Sequence, residues 1–272
     1  MVIAMVKGVQ LYFEERGHGP ALVFAHGAGG NHLSWWQQIP AFSRHYRCVV
    51  FDHRGWGLSL DGNDAGPAAF VEDLRGLLDH LGIERAALVG QSMGGMTCLR
   101  FTLAYPERVR ALAMANTFAG MRREVWLAAD EELRARWRAV WERRRADGVK
   151  RALGRAFVRG RPHLAFLYRQ IRLLNEQGPN QLNTEAGVQR LRALERLPDT
   201  SATAEALAAM RTPVLFIGGE EDEVMPAELM AVAQRLIPGA RMEVVPSAGH
   251  SVYFEEPETF NRLVLEFLAD VP

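Results

Sequence analysis

The segment Ala86-Ala87-Leu88-Val89-Gly90-Gln91-Ser92-Met93-Gly94 is the strongest structural signal in this chain, because it predicts a buried strand that turns sharply into a helix. Residues 86–89 are apolar and long enough for a buried parallel strand, and the pattern from 93 to 104 is helical. The corner has the pattern G-x-S-x-G, in which a Cβ at either glycine would crowd the turn. Such a corner holds Ser92 in strained geometry with its hydroxyl pushed out of the sheet, as a nucleophile requires.

A serine hydroxyl is a weak nucleophile, so a general base and an orienting acid are expected elsewhere in the chain. The base is predicted at His250, in a Gly/Ser loop that follows the apolar run 242–245. A histidine in such a loop can reach the end of a neighbouring strand, whereas a core histidine would lie on an apolar face. His250 is therefore the candidate partner of Ser92.

The acid is predicted at Asp222, in an acidic loop that directly follows the apolar strand 213–217. The order Ser, Asp, His is the one expected when the three side chains follow successive strands of one sheet. The acid would hold one tautomer of the imidazole and stabilise the imidazolium. The loop holds three further carboxylates, which are alternatives to Asp222 and which we interpret as a solvated acidic turn: Glu220, Glu221 and Glu223.

A glycine-rich loop, His26-Gly27-Ala28-Gly29-Gly30, follows the apolar strand 21–25. Glycines let the backbone approach a ligand closely, and backbone N–H groups can stabilise a developing oxyanion. The predicted donors are the N–H of Ala28 and the N–H of Met93, which begins the helix after Ser92. A phosphate-binding loop is the alternative, but the segment lacks G-K-[ST] and lacks G-x-G-x-x-G with a distant acid.

Apolar runs and alternation predict eight strands, at 3–6, 9–15, 21–25, 47–51, 86–89, 110–115, 213–217 and 241–245. Helical patterns separate most of the later strands, which is typical of an α/β fold with a mostly parallel sheet and helices on both faces. Residues 119–198 contain no strand pattern and indicate several helices. We therefore expect a core formed by residues 1–118 and 199–272, with a helical cap at 119–198 over Ser92.

The predicted cap is basic, with eighteen Lys and Arg residues against nine Asp and Glu residues. Because the whole chain balances at 32 against 32, the remainder is acidic by the same amount. The arginines at 134, 136, 138 and 143–145 are interpreted as a solvated helix face that is partly paired with the acidic core. Two alternatives remain: one or two arginines that point inward onto a substrate carboxylate, and binding of nucleic acid or anionic lipid, which no motif supports.

Large apolar side chains of the cap recur at near-helical spacing and are expected on one face: Trp126, Leu133, Trp137 and Trp141. This face would pack against the core and also form part of the ceiling of a substrate pocket. Gly27 in the glycine-rich loop and Trp36 beyond it are further candidate pocket residues. An apolar ceiling favours hydrophobic acyl or alcohol groups.

Length and composition narrow the class of protein. The 272 residues can bury one large core, and no apolar stretch approaches the ~20 residues of a membrane span. The N-terminal residues lack a signal-peptide pattern, and Cys48 and Cys98 indicate buried thiols, so a cytoplasmic location is expected. No Cys/His cluster has metal-ligand spacing, so neither a metal nor a cofactor is expected.

At these residues the chain resembles the α/β-hydrolase superfamily. Four landmarks occur in the expected order: the His26-Gly27 loop, the segment 52–59, the corner at Ser92, and the Asp222/His250 pair. The resemblance covers everything except the middle of the chain, and it implies a Ser92–His250–Asp222 triad with Ala28 and Met93 as oxyanion donors. Members that open epoxides or displace halide carry an aspartate nucleophile, so the serine argues against both. Some members carry the acid one strand earlier, where this chain has Asn116, which cannot serve as a carboxylate.

The resemblance implies a serine hydrolase that cleaves a small or medium carboxylic ester or a lactone through an acyl-enzyme. Residues 92–97 and 115–117 are most similar to carboxylesterases and enol-lactone hydrolases of the superfamily. The same triad also serves C–C bond hydrolases of aromatic catabolism and cofactor-free perhydrolases. The remaining hypotheses are a module that binds a small molecule without turnover and a peripheral enzyme that docks on anionic lipid. We expect a monomer or homodimer without a nucleic-acid partner.

Overall fold

An eight-stranded sheet forms the centre of the protein in a computed structural model, which describes residues 2–146, 152–196 and 202–271. The strands are β1 (Val2–Val6), β2 (Val9–Arg16), β3 (Ala21–Ala25), β4 (Arg47–Phe51), β5 (Ala86–Gln91), β6 (Val109–Ala115), β7 (Val214–Gly219) and β8 (Arg241–Val245). Their order across the sheet is β1-β2-β4-β3-β5-β6-β7-β8. The pairs β1–β2 and β2–β4 are antiparallel and the other pairs are parallel, so the predicted α/β fold with a mostly parallel sheet is confirmed.

The described residues also form α-helices between and after the strands. They are α1 (Ile39–Phe42), α2 (Phe70–His80), α3 (Met93–Ala104), α4 (Arg122–Ala128), α5 (Glu131–Ala146), α6 (Arg155–Gly160), α7 (Pro162–Gln177), α8 (Glu185–Arg196), α9 (Ala204–Ala209), α10 (Ala227–Arg235), α11 (Val252–Glu255) and α12 (Pro257–Ala269). Helices α4 to α8 fall within the stretch predicted as a cap. The predicted boundary at 198/199 and residues 147–151 lie outside the described residues, and the division into core and cap remains a prediction.

Alternate side chains of the central strands enter two separate apolar cores, one on each face of the sheet. In β5, Leu88 packs in the core that includes α2, α3 and α10, whereas Ala87 and Val89 pack in the core that includes α11 and α12. This alternation follows from the two-residue period of a strand. Because both faces are covered, the strand ends at one edge of the sheet are free to carry functional loops.

The aromatic stripe predicted in the cap is divided between two helices, so the expectation of one continuous helix face is wrong. Helix α4 ends before Ala129, whose backbone is extended (φ −71°, ψ 145°). Asp130 then accepts a hydrogen bond from the Leu133 N–H at 2.8 Å, and this cap starts α5. Trp126 on α4 nevertheless stacks on Trp141 of α5, with ring centroids 5.7 Å apart.

Arginines of the helices between β6 and β7 form ion pairs with carboxylates of residues that follow β7. The Arg155 guanidinium lies 3.2 Å from the Glu223 carboxylate, and Arg161 lies 3.3 Å from Glu256. Arg136 pairs with Glu228 on α10. These exposed pairs are each worth about 0–1 kcal/mol. Of the arginines named in the prediction, Arg136 pairs with Glu228 and Arg144 with Glu223 outside the predicted cap, whereas Arg134 and Arg138 pair with Glu131 on their own helix. Across the described ranges, none of the helices has the length and apolar character that crossing a bilayer requires.

Candidate active site

Ser92 occupies a strained corner between β5 and α3. Its backbone has φ 50° and ψ −112°, a conformation that costs a non-glycine residue on the order of 1–3 kcal/mol. Close backbone packing enforces the corner, because a Cβ on Gly90 would lie 2.6 Å from the Gly94 carbonyl oxygen. A Cβ on Gly94 would lie only 2.0 Å from the Ala25 carbonyl oxygen. Only glycine therefore fits at these two positions, and the strain is concentrated on the serine.

His250 and Asp222 meet at the same edge of the sheet, in the loops after β8 and β7. The His250 Nδ1 lies 2.9 Å from Asp222 Oδ2, and both side chains are buried. Since a carboxylate can only accept this hydrogen bond, Nδ1 donates and Nε2 keeps its lone pair. The arrangement gives the imidazole the tautomer that a general base needs.

Asp222 is fixed by donors on all sides. Besides His250, its carboxylate accepts hydrogen bonds from the Val224 N–H at 2.8 Å, the Met225 N–H at 2.9 Å and the Asn116 side-chain amide at 3.0 Å. Four donors leave the carboxylate a single orientation. Asp222 is therefore the acid in this loop that contacts the histidine.

The other carboxylates of the acidic loop bind elsewhere. Glu221 accepts hydrogen bonds from the backbone N–H groups of Arg155 and Ala156, at the start of α6. Glu223 pairs with Arg155 and Arg144, whereas Glu220 accepts from the Ser247 N–H. The interpretation as a solvated turn is therefore wrong for Glu221 and Glu223, because the facing helices supply N–H and guanidinium donors that the local sequence does not reveal.

Ser92 and His250 line one cavity of about 1020 Å³ between the edge of the sheet and helices α4, α5 and α7. Within the described part of the chain, the Ser92 hydroxyl forms no hydrogen bond, so it and the imidazole line one cavity without a hydrogen bond between them. Catalytic hydrogen bonds are often long in a free enzyme and tighten when the substrate binds. The placement suits a nucleophile and base that meet at a bound substrate.

The predicted pocket residues divide into two groups. Trp126 and Trp141 line the cavity with Ser92, and so does Ala28, a predicted oxyanion donor. Trp137 and Trp36 do not: Trp137 is buried in the core, and Trp36 is 45% exposed. Gly27 does not line the cavity either, and the Gln91 side chain lies where a Cβ on Gly27 would be.

The glycine-rich loop after β3 is braced from three directions. His26 Nδ1 donates to the Gly27 carbonyl at 2.8 Å, and His26 Nε2 accepts from the His53 N–H at 3.1 Å. The Trp56 indole donates to the Ala28 carbonyl at 2.8 Å. Among the hydrogen bonds of the described residues, neither the Ala28 N–H nor the Met93 N–H has a protein acceptor. Both predicted donors are therefore available to a ligand.

Burial disfavours the charged form of the two histidines beneath this loop. Burial lowers the pKa of His26, and burial together with the neighbouring His26 lowers the pKa of His53 well below its usual range. Their ring nitrogens instead form hydrogen bonds, including a 3.0 Å contact between His53 Nε2 and Thr97 Oγ1. These hydrogen bonds hold the shape of the loop.

Three residues that support the site were not identified from the sequence as doing so. Gln91 donates to the His250 carbonyl at 2.8 Å, and Asn116 joins Asp222 to the His250 loop by donating also to the Gly249 carbonyl at 3.0 Å. Glu255 accepts from the N–H groups of Gly249 at 2.9 Å and Ser251 at 3.1 Å, on either side of His250. In the sequence, the only local indication of this role is that Glu255 lies five residues after His250.

Glu255 also connects the His250 loop to the helical segment. The same carboxylate accepts from the Gly154 N–H at 2.8 Å, just before α6, and its side chain is fully buried. Burial raises the pKa of the Glu255 carboxyl, and the three N–H donors oppose that rise. The buried Glu255 carboxylate thus fixes both the loop that carries His250 and the backbone just before α6.

We expect Glu255→Gln to lower the free energy of unfolding by about 1–3 kcal/mol, because the new NH₂ group faces backbone donors and leaves them unpaired. Displacement of His250 should also lower kcat by up to about 10²-fold. Glu256→Gln is the matched control, since this neighbour pairs with Arg161 at the surface and should cost at most about 1 kcal/mol. Equal unfolding free energies for the two variants, from denaturant titration, would contradict this role.

Comparison with known proteins agrees with this geometry. A family model described as the alpha/beta hydrolase fold matches residues 20–257, which include Ser92, Asp222 and His250. The chain belongs to the α/β-hydrolase family. It is therefore a hydrolase by family.

Two curated relatives and a solved structure are similar over nearly the whole chain. The chain is 31% identical over 275 residues to a candidate carbamate hydrolase, RutD, of Azorhizobium caulinodans, covering 96% of each chain. It is 33% identical over 273 residues to the 2-hydroxy-6-oxononadienedioate/2-hydroxy-6-oxononatrienedioate hydrolase of Burkholderia vietnamiensis, covering 96% of this chain and 91% of that one. A thermophilic esterase of Thermogutta terrifontis, solved with malate bound, is 28% identical with a TM-score of 0.77, covering 98% and 97%.

Proposed function

We propose that this α/β-hydrolase cleaves a small or medium carboxylic ester or a lactone through an acyl-enzyme on Ser92. The observation that carries the proposal is the strained Ser92 corner on one cavity with a histidine whose Nδ1 is held by Asp222. A protein that only binds a small molecule needs neither a strained serine nor an oriented base. The available N–H groups of Ala28 and Met93 add the donors that a tetrahedral intermediate requires.

The chemistry follows from these positions. Ser92 Oγ attacks the carbonyl carbon while His250 Nε2 takes the hydroxyl proton, and the carbonyl oxygen becomes an oxyanion held by the two N–H groups. The bond to the leaving oxygen then breaks as the imidazolium returns its proton to that oxygen. Water repeats the sequence on the acyl-enzyme, which releases the acid and restores Ser92. Asp222 stays ionised and stabilises the imidazolium throughout.

The cavity supports a substrate of modest size with an apolar portion. Its volume of about 1020 Å³ is at the upper end of the range of ~300–1,000 Å³ typical of small-molecule sites. The stacked pair Trp126 and Trp141 forms an apolar wall. The similarity to the Thermogutta terrifontis esterase, at 28% identity, favours ester hydrolysis among the acyl-transfer reactions.

A second candidate is hydrolysis of a C–C bond, because the relative of Burkholderia vietnamiensis at 33% identity is named for that class of substrate. The same serine, base and oxyanion donors would serve it. The two reactions differ in the leaving group, which is an alkoxide in one case and a carbanion equivalent in the other. Substrate preference, rather than the triad, therefore distinguishes them.

The test is a series of p-nitrophenyl esters from acetate to decanoate, run alongside γ- and δ-lactones and a 2-hydroxy-6-oxo dienoate. We expect a burst of about one p-nitrophenol per protein with an optimum at short or medium chain length, as acyl-enzyme accumulation gives. Turnover of the dienoate at a kcat/KM well above that of every ester and lactone would replace the ester proposal with the C–C alternative. Binding of these compounds without turnover of any of them would indicate that the protein is a binding module and not an enzyme for these substrates.

A further inference from the structure

Arg172 on α7 lies against the glycine-rich loop that carries one of the oxyanion donors. A Cβ on Gly29 would lie 3.1 Å from the Arg172 Nε and 3.4 Å from its Nη2. Gly29 does not have a positive φ, so its backbone does not require glycine. The missing Cβ instead leaves room for the guanidinium against the glycine-rich loop, in the cavity that Ser92 also lines.

The charge of Arg172 is not matched by a protein carboxylate. Of the other arginines that border the Ser92 cavity, Arg123 pairs with Glu124, Arg138 with Glu131, and Arg144 with Glu223. Arg145 has no carboxylate partner among the described residues either, but it is exposed at the end of α5. Over the described residues, no carboxylate lies within ion-pair distance of Arg172 and no protein atom accepts a hydrogen bond from it. The side chain is half-buried, and none of its nitrogens is fully enclosed, so its donors remain accessible to a ligand that enters the cavity.

One aromatic ring, that of Tyr168, packs on Arg172 and links it to the residue that follows His250. Its guanidinium lies over the Tyr168 ring at 5.9 Å from the centroid, and the Tyr168 hydroxyl is 2.9 Å from the Ser251 hydroxyl, which follows His250. Burial raises the pKa of Tyr168, and the charge of Arg172 opposes that rise. Arg172 also borders a second cavity of about 700 Å³ with Arg169. A cationic group therefore borders both the Ser92 cavity and this second cavity.

We propose that Arg172 binds a carboxylate of the substrate, so that the preferred substrates are esters or lactones that carry a carboxylate. Guanidinium and carboxylate form two parallel charge-assisted hydrogen bonds, which a neutral ester cannot provide. This inference rests on the proposed acyl transfer at Ser92. The carboxylate can belong to the acyl part or to the leaving group, and the test distinguishes the two.

The test compares matched pairs of esters that differ in one charge. For the acyl part the pair is the p-nitrophenyl monoester of glutaric acid and p-nitrophenyl valerate; for the leaving group it is 4-acetoxybenzoate and 4-acetoxybenzamide. The wild type should prefer the anionic member of one pair. Arg172→Met should lower that preference, as a ratio of kcat/KM values, about 10- to 100-fold, because a hydrogen bond to a charged group is worth about 1.5–3 kcal/mol. Arg172→Lys should keep part of it.

Arg169→Met is the matched control, since it removes the same charge three residues earlier on α7 and Arg169 borders the second cavity alone. It should leave the preference unchanged. Isothermal titration with glutarate gives a readout without turnover, and Arg172→Met should weaken that binding by a similar factor. An unchanged preference and unchanged glutarate binding in Arg172→Met would overturn the inference, even if esters are hydrolysed. Arg172-dependent glutarate binding without ester turnover would reject the proposed reaction and leave this site standing.

Discussion

Ser92→Ala is expected to lower kcat by about 10⁵- to 10⁶-fold, as loss of the nucleophile does in enzymes that use a serine triad. The substitution removes one oxygen from a side chain that forms no hydrogen bond among the described residues. The corner itself is enforced by the packing of Gly90 and Gly94, not by the hydroxyl. The thermal midpoint and circular dichroism should therefore match the wild type while ester turnover is lost.

Ser247→Ala is the control for this substitution, because Ser247 is an exposed serine in the loop before His250. Its kcat should stay within a few-fold of the wild type. If Ser92→Ala kept more than about one hundredth of the wild-type kcat, a group other than Ser92 would be the nucleophile. The residual turnover that remains after loss of a triad member comes from the oxyanion donors and substrate binding, and it should be insensitive to His250.

Asp222→Asn is expected to lower kcat by about 10⁴-fold. The carboxylate accepts from four donors, and the amide of asparagine must turn its NH₂ group toward at least one of them. A rotamer that keeps the two backbone bonds of Val224 and Met225 places the NH₂ group against His250 Nδ1. The imidazole would then adopt the opposite tautomer, with a proton on Nε2, and could not accept the proton of Ser92.

Glu221→Gln is the matched control in the same loop. Glu221 accepts from two backbone N–H groups through a single oxygen, and glutamine keeps an oxygen that can accept both. Its kcat should stay within a few-fold of the wild type, measured with the same ester at saturating concentration. A large loss of kcat in Glu221→Gln together with a small loss in Asp222→Asn would show that the acid has been wrongly assigned.

The sequence predicted those parts of the site that depend on local rules. The corner at Ser92 requires small residues at two fixed positions, which a pattern of five residues reveals. The meeting of Ser92, Asp222 and His250 follows from topology, because parallel strands end at one edge of the sheet and each residue follows a predicted strand. The choice of Asp222 among four acids agrees with the observed contacts.

The parts that the sequence did not predict depend on packing between distant segments. The spacing of Trp126, Trp137 and Trp141 does not reveal the break at Asp130, and burial of Trp137 in the core depends on how α5 lies on its neighbours. Glu255 holds His250 through backbone donors from two loops, one of them about 100 residues earlier in the chain. Periodicity carries no information about such contacts.

The most direct test of the central claim is mass spectrometry of the protein quenched with acid during turnover of p-nitrophenyl butyrate. The acyl-enzyme account predicts a mass increase of one butyryl group in the burst phase, located on the peptide that contains Ser92, and accumulation of this species in Asp222→Asn at a slower rate. Butyryl on another residue, or steady turnover without any acylated protein even under rapid quench, would contradict the account.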